Sequence, residues 1–116
     1  MKSIKTVEDL KAEYLSDVSF VMDYVQLGFS GSTLTVYSRP IAEISGIPYR
    51  FPDPGSRDAL CSLIGRTLLE VFVKAEDQII LTFDAGRIII LLNLASRHKG
   101  DAAEFLPETG KSIIHF

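Results

Sequence analysis

The stretch from Leu68 to Asn93 leaves this chain few ways to fold. Three runs rich in β-branched and aliphatic residues, Leu68 to Lys74, Gln78 to Phe83 and Arg87 to Asn93, are separated by two short polar breaks, Ala75-Glu76-Asp77 and Asp84-Ala85-Gly86. Breaks this short join strands that lie side by side and run in opposite directions, so the spacing predicts an antiparallel meander. Gly86 falls where a three-residue loop with a bulge needs positive φ. Val71 and Val73, then Ile79, Leu81 and Phe83, then Ile88, Ile90 and Leu92 alternate in step and can share one face. Burying each of these side chains contributes about 1.5–3 kcal/mol before the entropy of ordering the chain is subtracted.

The third run carries a second constraint. Ile88-Ile89-Ile90-Leu91-Leu92 is apolar at every position, whereas a half-buried antiparallel strand alternates. Such a strand calls for cover on both faces. Two segments are expected to supply it, an N-terminal helix on one side and a proline-rich excursion on the other. The alternative is a partner or a second copy of the chain.

The N-terminal helix is expected to start at Thr6, with Asp9 completing a shortened capping box. Val7, Leu10 and Tyr14 form its apolar stripe, and it ends near Ser16-Asp17. Val18 to Phe29 reads as a single long strand, turning at Ser30-Gly31-Ser32 into a second strand over Thr33 to Tyr37. Pro40, Pro48, Pro52 and Pro54 mark the excursion, with a short edge strand at Ile41 to Ile44. Ser56 is the expected N-cap of a short middle helix through Ile64, stopped at Gly65. A helical turn is expected at Asp101 to Leu106 and an edge strand at Ser112 to Phe116. The expected architecture is α+β: one domain over residues 1–116, an antiparallel meander and hairpin sheet with an N-terminal helix and a short middle helix packed on it.

The chain has 116 residues, 47% of them hydrophobic, and a net charge of -3. A nucleic-acid partner would need a basic face, and Arg97-His98-Lys99 is the longest basic cluster. The longest apolar run is too short to span a bilayer, and Glu8 and Asp9 interrupt any signal-peptide core, so a cytoplasmic location is expected. Cys61 is the lone cysteine, set among Ala59, Leu60 and Leu63, and is expected to be a buried, unreactive thiol. His98 and His115 have no HxxH or HExxH partner, so no metal or other cofactor is expected. Gly28-Phe29-Ser30-Gly31-Ser32 opens no phosphate-binding helix, Thr109-Gly110-Lys111-Ser112 lacks the upstream glycine of a P-loop, and no GxSxG elbow is present. A carboxylate pair, Asp23 and Glu70, sits within predicted strands and would serve acid–base chemistry if the two shared a cleft. With no other catalytic constellation, the chain is expected not to be an enzyme.

What remains is charge placement. Glu70, Glu76, Asp77 and Asp84 face only Lys74 in their stretch, and Asp101, Glu104 and Glu108 have no base among them. These seven acids are the candidate partner-binding residues, an acidic rim suited to a basic protein.

Leu63-Ile64-Gly65-Arg66-Thr67-Leu68-Leu69-Glu70-Val71, followed by Asp77-Gln78-Ile79-Ile80-Leu81-Thr82-Phe83-Asp84-Ala85-Gly86-Arg87-Ile88-Ile89-Ile90, resembles small bacterial immunity proteins of polymorphic-toxin and contact-dependent growth inhibition systems. The likeness covers about residues 60–94. It implies a protein that binds a cognate toxin domain, often a nuclease, and blocks its active site without chemistry of its own. The competing expectation is a homo-oligomeric structural or small-ligand-binding protein, with Ile88 to Leu92 near a self-interface.

The alternation makes one firm prediction. Leu81→Asp places a charge on the sealed face and should cost several kcal/mol of stability. Melting like the parent would mean that the register of this strand is shifted by one residue.

Overall fold

The computed structural model describes residues 4–92, 101–108 and 112–116. Among these residues, ten strands form two five-stranded antiparallel sheets. In chain order the strands are β1 (Asp17–Val21), β2 (Tyr24–Phe29), β3 (Ser32–Val36), β4 (Ile41–Ile44), β5 (Ile47–Arg50), β6 (Leu68–Lys74), β7 (Gln78–Phe83), β8 (Gly86–Leu91), β9 (Ala103–Leu106) and β10 (Ile114–His115). The first sheet has the order β1-β2-β3-β9-β10 and the second β5-β4-β8-β7-β6. The helical content of the described residues is one 3-10 turn, Val7–Leu10, and one short helix, α1 (Ser56–Cys61). The α+β expectation is therefore wrong: this is a mostly-β fold in which two sheets share one core.

That core follows from strand alternation. Val25, Leu27, Phe29, Leu34, Val36, Ala103 and Phe105 of the first sheet are buried, and so are Ala42, Leu68, Ile79, Leu81, Phe83, Ile88 and Ile90 of the second. They belong to a single apolar cluster. Phe29 of β2 stacks on Phe83 of β7 with ring centroids 6.5 Å apart and planes 11° from parallel, joining the two layers. Registers agree with the predicted inward positions: Val73 lies opposite Ile79 and Ile79 opposite Ile90, with Val71, Leu81 and Ile88 in the next row.

The predicted N-terminal helix gives way to backbone pairing. Val7 and Leu10 are buried as expected, and the Asp9 carboxylate accepts the backbone N–H groups of Lys5 and Thr6. Ala12 then turns to φ 78°, which ends any helix. Residues beyond it pair with the start of β6: Ala12 N–H donates to Leu68 O at 2.8 Å, and Leu68 N–H donates to Glu13 O at 2.7 Å. Leu15 is consequently buried while Tyr14 points out, the reverse of the helical stripe.

Two other misreadings come from turns. Val18 to Phe29 is not one strand, because Met22-Asp23 forms a tight turn between β1 and β2, with Met22 at φ 49°. Asp23 is a common turn residue, but Met22, which takes the positive φ, is not, and sequence alternation runs straight through the pair. Ser30-Gly31 and Ser45-Gly46, by contrast, have positive φ at both positions, the pattern that fits the twist of a two-residue hairpin. Ser45-Gly46 makes the proline-rich excursion a β4–β5 hairpin. It extends the second sheet sideways through β4–β8 pairing and does not cover a face, so β4 is an interior strand. The segment expected as a helical turn at Asp101 to Leu106 instead contains strand β9 (Ala103–Leu106), whereas β10 lies at a sheet edge as expected.

The middle helix exists but is shorter and capped differently. Gly55, at φ 86°, occupies the N-cap, and Ser56 is the first helical residue with its side chain buried. Helix α1 packs against β1, β4 and β5. Its Arg57 guanidinium lies over both Phe20 of β1 (5.7 Å) and Phe51 (5.1 Å), which stack on one another, so one cation clips the first sheet to the segment leaving β5. Cys61, at the helix end, is exposed, contrary to expectation. Arg97-His98-Lys99, Asn93 and Thr109-Gly110-Lys111 lie outside the described residues.

Gly86 is required for a different reason than its loop position suggests. The β7–β8 turn is the two-residue Asp84-Ala85, and Gly86 lies in β8 without positive φ. A Cβ there would stand 2.6 Å from the carbonyl oxygen of Glu43 and 2.7 Å from Ile44 Cδ1. Gly86→Val should therefore force β4 away from β8 and cost about 1–3 kcal/mol. Thermal melting checks this, and a substitution without effect would mean that β4 approaches β8 less closely than these distances require.

Candidate functional site

The two sheets have alike inner faces and unlike outer faces. On the first sheet, Ser19, Gln26, Thr35, Glu104 and His115 line up across β1, β2, β3, β9 and β10, a polar row. The corresponding row of the second sheet is Arg50, Ile41, Ile89, Ile80 and Phe72, across β5, β4, β8, β7 and β6. Ile41, Ile80 and Ile89 are only half-buried, and Phe72 is 51% exposed. Leu91 continues the apolar surface beside Gln78. This is how the apolar run of β8 is used: Ile88, Ile90 and Leu92 enter the core, while Ile89 and Leu91 face outward. Neither expected cover lies over that face, since the N-terminal turn packs on β6 and the proline-rich hairpin extends the sheet.

Charged groups border this stripe. Glu43 and Arg87 lie opposite one another in the adjoining row and form an ion pair of 2.8 Å. Glu70, on the same face as Phe72, lies 3.5 Å from Lys11, and Lys74 lies 3.8 Å from Asp77. A shallow, open groove of about 410 Å³ runs between the β4–β5 and β7–β8 turns, lined by Glu43, Ser45, Thr82, Asp84 and Arg87 among others.

The seven acids do not form one rim. Glu70, Glu76 and Asp77 belong to the β6–β7 hairpin, with Glu76 at φ 64° in its turn. Asp84 sits at the opposite end of β7, paired with Arg66 at 3.4 Å. Asp101, Glu104 and Glu108 lie on or beside β9 of the other sheet. Nor do Asp23 and Glu70 share a cleft: Asp23 is exposed in the β1–β2 turn of the first sheet, and Glu70 is on the outer face of the second. Sequence reasoning misses the apolar stripe, although Phe72, Ile80 and Ile89 are visible as the out-of-phase members of the meander.

Sequence reasoning also misses a cluster at the far edge. Asp101, Glu104 and His115 bring their polar atoms within 4.8 Å of one another. His115 Nδ1 is hydrogen-bonded to Asp101 and lies 3.5 Å from Glu104 Oε2, while Tyr37 donates its hydroxyl to Glu104 Oε1 at 3.0 Å. These groups are spent on each other, and the arrangement pins the short strand β10 to β9. The Asp101 hydrogen bond raises the His115 pKa above its ordinary 6.5, against some desolvation, with the charges of Asp101 and Glu104 adding to the rise. Burial and then the Glu104 hydrogen bond raise Tyr37. No helix among the described residues is long and apolar enough to cross a membrane.

No family model, curated protein or solved structure matches this chain.

The pin has a testable pH dependence. A histidine whose pKa is raised on folding contributes stability that is fully present below its unfolded value near 6.5 and is lost as pH climbs through the folded value. His115 should titrate above 6.5 by NMR, and Asp101→Asn should move it back down. Titration at or below the ordinary value would show that the pin does not form.

Proposed function

We propose that the protein is a protein-binding module that docks through the outer face of its second sheet, and that its partner is a toxin domain it neutralises by occlusion. The observation that carries the docking face is the contrast between the two outer rows, one polar and one built from Phe72, Ile80, Ile89 and Ile41. Apolar patches rimmed by polar groups mark interaction sites. Phe72 has the character of an anchor: an aromatic side chain at the edge of the stripe with half of its surface in water.

The acids beside it supply the chemistry that selects a partner. Glu70 shares the face with Phe72, and Glu76 and Asp77 cap the same hairpin. A nuclease toxin presents the basic groups that hold its substrate; Glu70 and Asp77, held here in exposed ion pairs with Lys11 and Lys74, can exchange those partners for the toxin's bases while an apolar centre supplies affinity. The resemblance of residues 60–94 to immunity proteins supports this partner over others, since those residues include the end of α1 and all of β6, β7 and β8.

Cleavage by a nuclease toxin domain encoded next to this protein, measured with and without it, tests the proposal. The parent protein should abolish cleavage. Phe72→Asp should weaken inhibition about tenfold or more, as expected for loss of an interface anchor, while Ser19→Arg on the polar face should leave it unchanged. Undiminished cleavage with the parent protein would refute the toxin assignment, and equal effects of the two substitutions would refute the docking face.

A further inference from the structure

Of the two edges of the second sheet, β5 is blunted along its short length, and β6, among the described residues, is covered at its start by the N-terminal segment. β5 carries Pro48, which cannot donate to a ladder, and follows directly on the Ser45-Gly46 turn. β6 is the longest of the described strands, contains no proline and is rich in Leu, Val and Phe. Its first residue, Leu68, is paired on the open side by Ala12 and Glu13. Beyond Leu68, among the described residues, β7 is the one strand that pairs with it. A bulge between Leu68 and Glu70 interrupts the start of this edge, and the stretch from Glu70 to Lys74 that follows it is a template for another strand.

The sequence of that edge matches itself. Read antiparallel about Phe72, Glu70 comes opposite Lys74 of a second copy, Val71 opposite Val73, and Phe72 opposite Phe72. Residues directly opposite in an antiparallel pair point to the same face. Glu70, Phe72 and Lys74 are on the outer face, so charges of opposite sign would flank a central aromatic contact twice. Val71 and Val73, half-buried at the rim of the core, would complete one another on the inner face. The present ion pairs, Lys11–Glu70 and Lys74–Asp77, are between exposed groups and contribute little. The covering by Ala12 and Glu13 sets the limit of the pairing at the start of β6, where the partner's β6–β7 turn would abut.

From this we infer that the protein forms a two-fold symmetric dimer by antiparallel pairing of β6 with β6 of a second copy. A two-fold operator closes the assembly, so the open edge is used up and does not propagate. The two five-stranded sheets become one ten-stranded sheet. The apolar row then runs unbroken from Ile41 of one copy through both Phe72 side chains to Ile41 of the other, and doubles the docking face proposed above. The dimer itself does not depend on that proposal.

Sedimentation equilibrium of the full chain should give a dimer. Lys74→Glu and Glu70→Lys each place like charges opposite one another at two symmetry-related positions. Each should weaken the dimer about tenfold or more. The double exchange Glu70→Lys/Lys74→Glu should restore it, a result that damage to the fold alone would not give. In a Cys61→Ser background, Phe72→Cys should form an intermolecular disulfide under mild oxidation, since residues facing each other across an antiparallel pair are within bridging distance. A parent protein that remains monomeric, or a dimer insensitive to both single charge reversals, would overturn the inference. A monomer that still inhibited the toxin would overturn it while leaving the docking proposal intact.

Discussion

The contact between the two sheets governs everything else in this protein. Neither sheet is stable as a free layer, because each has one face of aliphatic and aromatic side chains that only another apolar face can cover. Phe29 against Phe83 joins the layers ring to ring, with Leu27, Leu34, Ile79, Leu81 and Ile88 sealed in the same cluster. At one side the gap is closed by Arg57 lying over Phe20 and Phe51. At the other, the backbone of Ala12 to Leu15 is drawn into pairing with Arg66 to Leu68. These closures decide the fate of local segments: the N-terminal residues give up their helix because their N–H and C=O groups are satisfied by the sheet edge.

Once the inner faces are committed, the outer faces are free to differ, and they do. The first sheet carries Ser, Gln, Thr, Glu and His in its central row, together with a Tyr24–Tyr37 contact at 5.3 Å. The row is polar throughout, although Thr35 within it is buried. The second sheet places isoleucines and a phenylalanine side by side across four strands of its outer face. The cost is a greater tendency to associate. In the proposed assembly that tendency is put to use twice, as a face for a partner and as an edge for a second copy.

Much of this was legible in the sequence where the period was clean. The strands β6, β7 and β8 and their inward positions follow from alternation, because a period of two admits one inward set per strand; the β7–β8 turn does not, being the two-residue Asp84-Ala85 with Gly86 inside β8. β3 was legible for the same reason. The N-terminal helix was not, since Val7 and Leu10 satisfy a helical stripe, and only the remote Leu68 backbone shows why the helix stops at Ala12. The Met22-Asp23 turn was hidden because its residues lack the glycine or asparagine that usually marks positive φ. The candidate site was half legible. Ile89 and Leu91 stood out as apolar residues on the wrong face, but their alignment with Phe72, Ile80 and Ile41 depends on strand order. The acids, adjacent in sequence, were scattered by the topology over two sheets and both ends of a hairpin.

In the second sheet, one apolar row faces the core and the next faces water. NMR of isoleucine methyl groups in the presence of a soluble paramagnetic probe tests this division most directly. The methyls of Ile41, Ile80 and Ile89 should be strongly relaxed by the probe, while those of Ile79, Ile88 and Ile90 should be spared. Equal protection of both sets in the isolated protein, or protection with the sets exchanged, would contradict it.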